Sequence, residues 1–197
     1  MSESNIIKIA LIGQSGAGKT SLINKIVKDS FGPGSSTVGV GKAEKDIEYD
    51  NLPIHLIIYD TAGQEEYGST ADFYLRSVDL ILICFDPKLD DAENKLKFWK
   101  EHADNRSTSK SQILVSTKSD LWSKEIPPPA LVSNPESLNK KYQTREYFQT
   151  SSLNGSGITE LLQGLCQIFF ENKHATSDDD DTPVDINKPI QKDKCSC

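Results

Sequence analysis

Eight consecutive residues, Gly13-Gln14-Ser15-Gly16-Ala17-Gly18-Lys19-Thr20, follow an apolar run and precede an amphipathic one. The pattern G-x-x-x-x-G-K-[ST] in that context makes a backbone curl for phosphate. Its glycines let successive N–H groups turn inward, and the N-terminus of the helix that follows adds a positive partial charge. Lys19 brings a full charge to the outer phosphates, and the Thr20 hydroxyl is an oxygen ligand for Mg2+. Further on, Asp60-Thr61-Ala62-Gly63-Gln64 follows a second apolar run. An aspartate at a strand end beside a phosphate loop can hold Mg2+ through water. The Gly63 N–H can meet a terminal phosphate, and Gln64 can orient an attacking water. The chemistry these residues suit is cleavage of a nucleoside triphosphate.

Such residues act together only if strands carry them to a common edge. Apolar runs at 6–12, 46–49, 54–59, 80–85, 113–116 and 147–150 predict six strands, and amphipathic segments at 19–28, 65–76, 91–103, 136–144 and 158–172 predict five helices. This alternation is the pattern of an α/β fold with a mostly parallel sheet. The last helix is the clearest, because Ile158, Leu161, Leu162, Leu165, Ile168 and Phe169 recur at three and four residues and form one apolar face. Around Asp50-Asn51-Leu52-Pro53 two extended runs meet directly, which predicts a hairpin and so one antiparallel edge strand. Residues 1–172 are expected to form the folded domain. Residues 173–197, with aspartates from Asp178 to Asp181, are expected to be a flexible extension. The stretch 122–135, with Pro127-Pro128-Pro129, is expected to be a surface insertion ranging from ordered to mobile.

Composition narrows the class. The 197 residues suffice for one domain and a tail. With 22 basic and 29 acidic residues the net charge is -7, which argues against a nucleic-acid binder needing a basic face. No apolar stretch is long enough to span a bilayer, and the start lacks the basic region of a secretion signal, so a cytoplasmic protein is expected. Cysteines at 84, 166, 195 and 197 match neither a disulfide framework nor a zinc site.

Two more segments complete a pattern: Thr117-Lys118-Ser119-Asp120 and Thr150-Ser151-Ser152, each after a predicted strand. Alone, the first is only a polar turn. In their order and spacing over about residues 6–172, these four motifs resemble a Ras-superfamily small GTPase. The DTAGQEEY run, Ser15, Thr37-Val38-Gly39-Val40 and the terminal Cys195-Ser196-Cys197 look most like its Rab branch. The resemblance implies a P-loop NTPase G domain, with a six-stranded mostly parallel sheet, one antiparallel edge strand and helices on both faces. It implies GTP and GDP contacts from Gln14, Ser15, Gly16, Ala17, Gly18, Lys19, Thr20 and Ser21 in the phosphate loop. Phe31 would lie edge-on to the base, Lys118 would pack its stem along it, and Thr117 stands where asparagine is commoner. Ser151, Ser152 and Leu153 would meet the guanine carbonyl side. Asp120 has a chemical reason as well: a carboxylate accepts from guanine N1–H and its exocyclic amine, whereas adenine offers an unprotonated nitrogen there.

By the same resemblance Thr37 joins Thr20 and Asp60 around Mg2+, and the loop of residues 31–37 and the segment from Gln64 to about Thr70 are order–disorder switches one and two. Gln64 and Lys19 would be the catalytic residues. Arginines stand only at 76, 106 and 145, so an in-cis charge donor is not expected and slow turnover accelerated by a partner is. The terminal Cys195 and Cys197 imply two prenyl chains, the number needed for stable anchoring. Implied partners are an exchange factor, a GTPase-activating protein, switch-binding effectors, a prenylation escort and a GDP-dissociation inhibitor. They would act on a monomer at the cytoplasmic face of intracellular membranes, in vesicular trafficking, with a cytosolic pool.

The chain also departs from the pattern of the family it resembles. By that resemblance switch one is one residue short and holds Gly32-Pro33-Gly34, Gly41-Lys42 stand where an acidic and an aromatic residue are typical, and Leu153 stands where a lysine often buttresses the base loop. These departures keep open a binding module that holds GTP without hydrolysing it. A P-loop nucleotide kinase fits less well, since it needs an arginine-rich lid.

Overall fold

The computed structural model describes residues 5–32, 40–61, 68–107, 109, 111–123 and 126–177, without the side chains of 40, 68–71, 176 and 177. Six strands form one sheet in the order β2-β3-β1-β4-β5-β6. They are β1 (Asn5–Ile12), β2 (Val40–Tyr49), β3 (Leu52–Thr61), β4 (Leu80–Phe85), β5 (Gln112–Ser116) and β6 (Glu146–Gln149). All neighbours run parallel except β2, which pairs antiparallel with β3. Five helices connect them: α1 (Lys19–Lys28), α2 (Gly68–Leu75), α3 (Ala92–Arg106), α4 (Pro135–Tyr142) and α5 (Ile158–Ser177).

Alternation along the strands gives the sheet two apolar faces. Ile7, Ile9 and Leu11 of β1 join Leu22 and Ile26 of α1 and Leu161 and Leu165 of α5 in one core. Ala10 and Ile12 join Leu75 of α2, Leu96 and Trp99 of α3, and Leu138 of α4 in the other. The central β4 is buried along its whole length, as a strand covered on both faces must be.

Element types agree with the sequence reading, and the differences lie at the ends. β2 begins six residues before the expected 46, because Val40 to Lys45 pair in register with Thr61 to Leu56 and the ladder satisfies backbone groups whatever the side chains prefer. Asp50 and Asn51 have φ of 50° and 61°, a two-residue turn of the kind that matches the twist of a hairpin. α5 extends to Ser177, past the expected 172, so the first residues of the expected extension are helical; residues 178–197 lie outside the described ones. The described residues of the 122–135 segment are anchored at two points: Val132, in a 3-10 turn at Ala130–Val132, is 1% exposed, and Trp122 packs on the same core.

Gly157 shows how tightly one connection is drawn. Its φ is +73°, and a Cβ there would fall 1.8 Å from the Gln149 carbonyl oxygen at the end of β6. Gly157→Ala should therefore cost at least about 2 kcal/mol through strain and backbone displacement. Urea denaturation should show it as a lower midpoint at unchanged slope.

Candidate nucleotide site

The strand order reverses around β1, and there the carboxyl ends of the parallel strands open a crevice. β1 delivers the chain to Gly13, whose φ is +143° and where a Cβ would sit 2.0 Å from the Cys84 carbonyl oxygen of β4. No side chain fits, so the backbone turns directly into the curl. Ala17 N–H donates to Gln14 O at 3.2 Å and closes the loop. Lys19 folds back into it, its ammonium donating to Gly13 O at 2.6 Å and Gln14 O at 3.2 Å. At 6% exposure this cation is shielded from water, where it acts on an anion with little screening. Gln14 and Ala17 are buried, Ser15 and Gly16 are exposed at the crest, and Ser21 is half-buried. Gly18, at the N-cap of α1, brings no side-chain cap, and no acidic residue falls in the first turn. That leaves the positive helix end suited to phosphate.

Asp60 lies beside this loop, near the end of β3 and buried. The Thr20 hydroxyl donates to its Oδ2 at 2.7 Å. A hydroxyl and a carboxylate side by side, all oxygen, form a donor set that fits a hard cation such as Mg2+. The neighbouring Thr61 hydroxyl donates to Leu11 O at 2.6 Å, tying β3 to β1 just below them.

On the other side, the loops after β5 and β6 enclose a cavity of about 170 Å³ lined by Gly18, Ser21, Phe31, Thr117, Lys118, Asp120, Leu121, Ser152 and Leu153. That volume suits one flat heterocycle rather than a whole drug-sized ligand. The Ser151 hydroxyl donates to Asp120 Oδ1 at 2.5 Å and holds the carboxylate in place. Lys118 reaches Asp86 Oδ2 at 2.9 Å, and Lys88 donates its ammonium to Leu121 O at 2.9 Å. Thr117 bridges the two halves of the site: its hydroxyl donates to Ala17 O of the phosphate loop at 2.8 Å and lies 3.3 Å from Phe85 O. Ser119 N–H donates to Thr150 O at 3.1 Å, and Ser151 N–H to Ser156 O at 2.9 Å, which sews the base loops together.

The structure thus gathers the expected phosphate-loop residues, Asp60, Phe31, Thr117, Lys118, Asp120, Ser151, Ser152 and Leu153 around one crevice. Thr37, Gly63, Gln64, Cys195 and Cys197 lie outside the described residues. Sequence reasoning missed Asp86, Leu121 and Ser151's grip on Asp120. Asp86 was findable: like Asp60, it directly follows an apolar run. Arg106 of α3, which the sequence did not connect to any partner, donates to Asp72 of α2. Burial pushes the thiols of Cys84 and Cys166 up to about 12 and about 11, so neither serves as a nucleophile.

A mostly parallel sheet with a phosphate curl at its reversal point and an acid-floored base pocket beside it defines a P-loop guanine-nucleotide-binding protein. Comparison with known proteins agrees. The Ras family model matches residues 8–170. The putative Ras-related protein Rab-5B of Dictyostelium discoideum is 31% identical over 84% of this chain and 76% of its own length. Ras-related protein Rab-11B of the same organism is 31% identical over 88% and 80%. The Ypt/Rab-type GTPase ypt7 of Schizosaccharomyces pombe is 27% identical over 98% and 97%. The chain belongs to the Ras family, in its Rab branch, and is a small GTPase that hydrolyses GTP.

Replacing Thr117 by valine keeps its shape and removes the tether to Ala17 O, leaving a buried carbonyl short of a donor at about 1–3 kcal/mol. Dissociation of a fluorescent GDP should quicken about tenfold in Thr117→Val and stay near the native rate in Thr117→Ser.

Proposed function

We propose that this chain is a Mg2+-dependent Rab-type switch of vesicular trafficking, which binds GTP or GDP and is carried on the cytoplasmic face of intracellular membranes by lipids on Cys195 and Cys197. The observation that carries this reading is the joining of phosphate loop and base pocket by one hydrogen bond, Thr117 Oγ1 to Ala17 O. That bond makes a site for a whole nucleotide, not for phosphate alone.

In this reading the N–H groups of the loop and the buried Lys19 receive the β- and γ-phosphates, while Asp120 selects guanine. Thr20, Asp60 and Thr37 would hold Mg2+, which when bound would offset charge on the phosphate oxygens. Gln64 orients the attacking water, and Gly63 contacts the terminal phosphate. No residue described at the crevice supplies the arginine that stabilises the transferring phosphoryl group. Turnover is therefore slow alone and accelerates by ~10^3 to 10^5 with a donor partner. Contacts to the terminal phosphate hold residues 31–37 and 64–70 in the partner-binding shape, and hydrolysis releases them. An exchange factor, effectors, a prenylation escort and a GDP-dissociation inhibitor act around this cycle.

Nucleotide extracted from the purified protein should be GDP or GTP, not ATP. Single-turnover hydrolysis of loaded GTP with Mg2+ should be slow and fall at least tenfold in Gln64→Leu. Retained GTP with no turnover in the native chain would instead make it a constitutive binding module.

A further inference from the structure

α2 is a short helix of eight residues held at two levels. At its carboxyl end Leu75 is fully buried, and the Ser107 hydroxyl, just past α3, donates to Leu75 O at 2.9 Å. One turn earlier the hold is electrostatic. Arg106 Nε donates to Asp72 Oδ2 at 2.7 Å, and His102 Nε2 faces Asp72 Oδ1 at 3.1 Å. Neither Oδ1 nor Nε2 makes an aligned hydrogen bond among the described residues, so the contact is close but not locked. His102 is 9% exposed between the rings of Trp99 and Phe98, and the charged groups that face it are Asp72 from α2 and Arg106 from its own helix. Burial, then the Arg106 charge, hold its imidazole below the ordinary value against the pull of Asp72, so it is neutral near pH 7. Asp72 is three-quarters buried and Arg106 is 41% exposed, so this pair can part without opening the core.

We propose that Asp72, clasped by Arg106 and His102 of α3, is a positioning residue for hydrolysis that sets how α2 is seated and so where Gln64 is presented. The inference rests on the reading of Gln64 given above. The physical argument is leverage. Gln64 precedes Gly68, the first residue of α2, by only four positions. Leu75 is the fixed end of the helix, and the clasp is the described polar hold nearest the Gln64 end. Without it α2 pivots about Leu75, and a small swing there is enough to misplace a water-orienting group. The nucleotide pocket itself, built on β1, β5 and β6, is not touched.

The test is single-turnover hydrolysis of loaded Mg2+-GTP by the full chain, beside fluorescent-GDP dissociation, for the native protein, Asp72→Asn, Arg106→Gln, Arg106→Lys, the Asp72→Asn/Arg106→Gln double variant and Gln64→Leu. Asp72→Asn and Arg106→Gln should each slow hydrolysis ~5-fold or more while GDP dissociation stays within about twofold. The double variant should be no slower than either single one, since both remove the same contact. Arg106→Lys, which keeps a cation at this half-exposed position, should recover most of the rate. GDP dissociation near the native rate in each variant certifies that it is folded. If Gln64→Leu abolishes turnover while the Asp72 and Arg106 variants hydrolyse at or above the native rate, the clasp is only structural and the inference falls. If Gln64→Leu itself turns over normally, the Gln64 reading fails and the positioning role falls with it.

Discussion

One hydrogen bond holds the functional architecture together. Thr117, at the end of β5, donates its hydroxyl to Ala17 O in the loop after β1, across one hundred positions of sequence. Each partner belongs to a separate chemical job, one to phosphate and the other to the base. Buried at 2% and 0% exposure, the pair is far stronger than a surface contact and expensive to break. Here a threonine hydroxyl joins the two halves. Lys118 and Asp120, on either side of Ser119, inherit their placement from it.

The site also resolves an electrostatic tension. A chain of net charge -7 has no general attraction for a polyphosphate. Attraction is created locally instead, by the N-terminus of α1 and by one lysine taken out of water into the loop it serves. Gly13 makes this possible, because the Cys84 carbonyl stands where any side chain would be. The same close approach that starts the curl packs β1 onto β4, so the cradle is as rigid as the core beneath it. Asp60 and Thr20 then add the oxygen donors at its edge.

The proposed switching falls on a less deeply buried part of the same frame. The base pocket and the phosphate cradle stand on strands that are paired on both sides or covered by helices. α2 is tied to the core by Leu75 and by Tyr74 against Tyr59 of β3, with Asp72 bonded to Arg106 and close to His102 of α3. A switch needs such unevenness: an element that is to move cannot be buried as deeply as those that stay.

The residues alone were enough for the element types, the sheet class and the phosphate-loop curl, whereas Asp120 was singled out through the family resemblance, because its segment alone reads as a polar turn. Periodicity and tight turn chemistry are local, and the phosphate motif encodes its own backbone geometry. Even the hairpin at Asp50 and Asn51 was legible for that reason. Only the tertiary structure extended β2 back to Val40, anchored Val132, paired Lys118 with Asp86, and brought Arg106 to Asp72. Each of these depends on a partner far away along the chain, whose position follows from strand order and crossover packing. Local spacing carries no information about such a partner. A strand's length is set by the ladder it joins, and a side chain's role by the groups the fold sets opposite it.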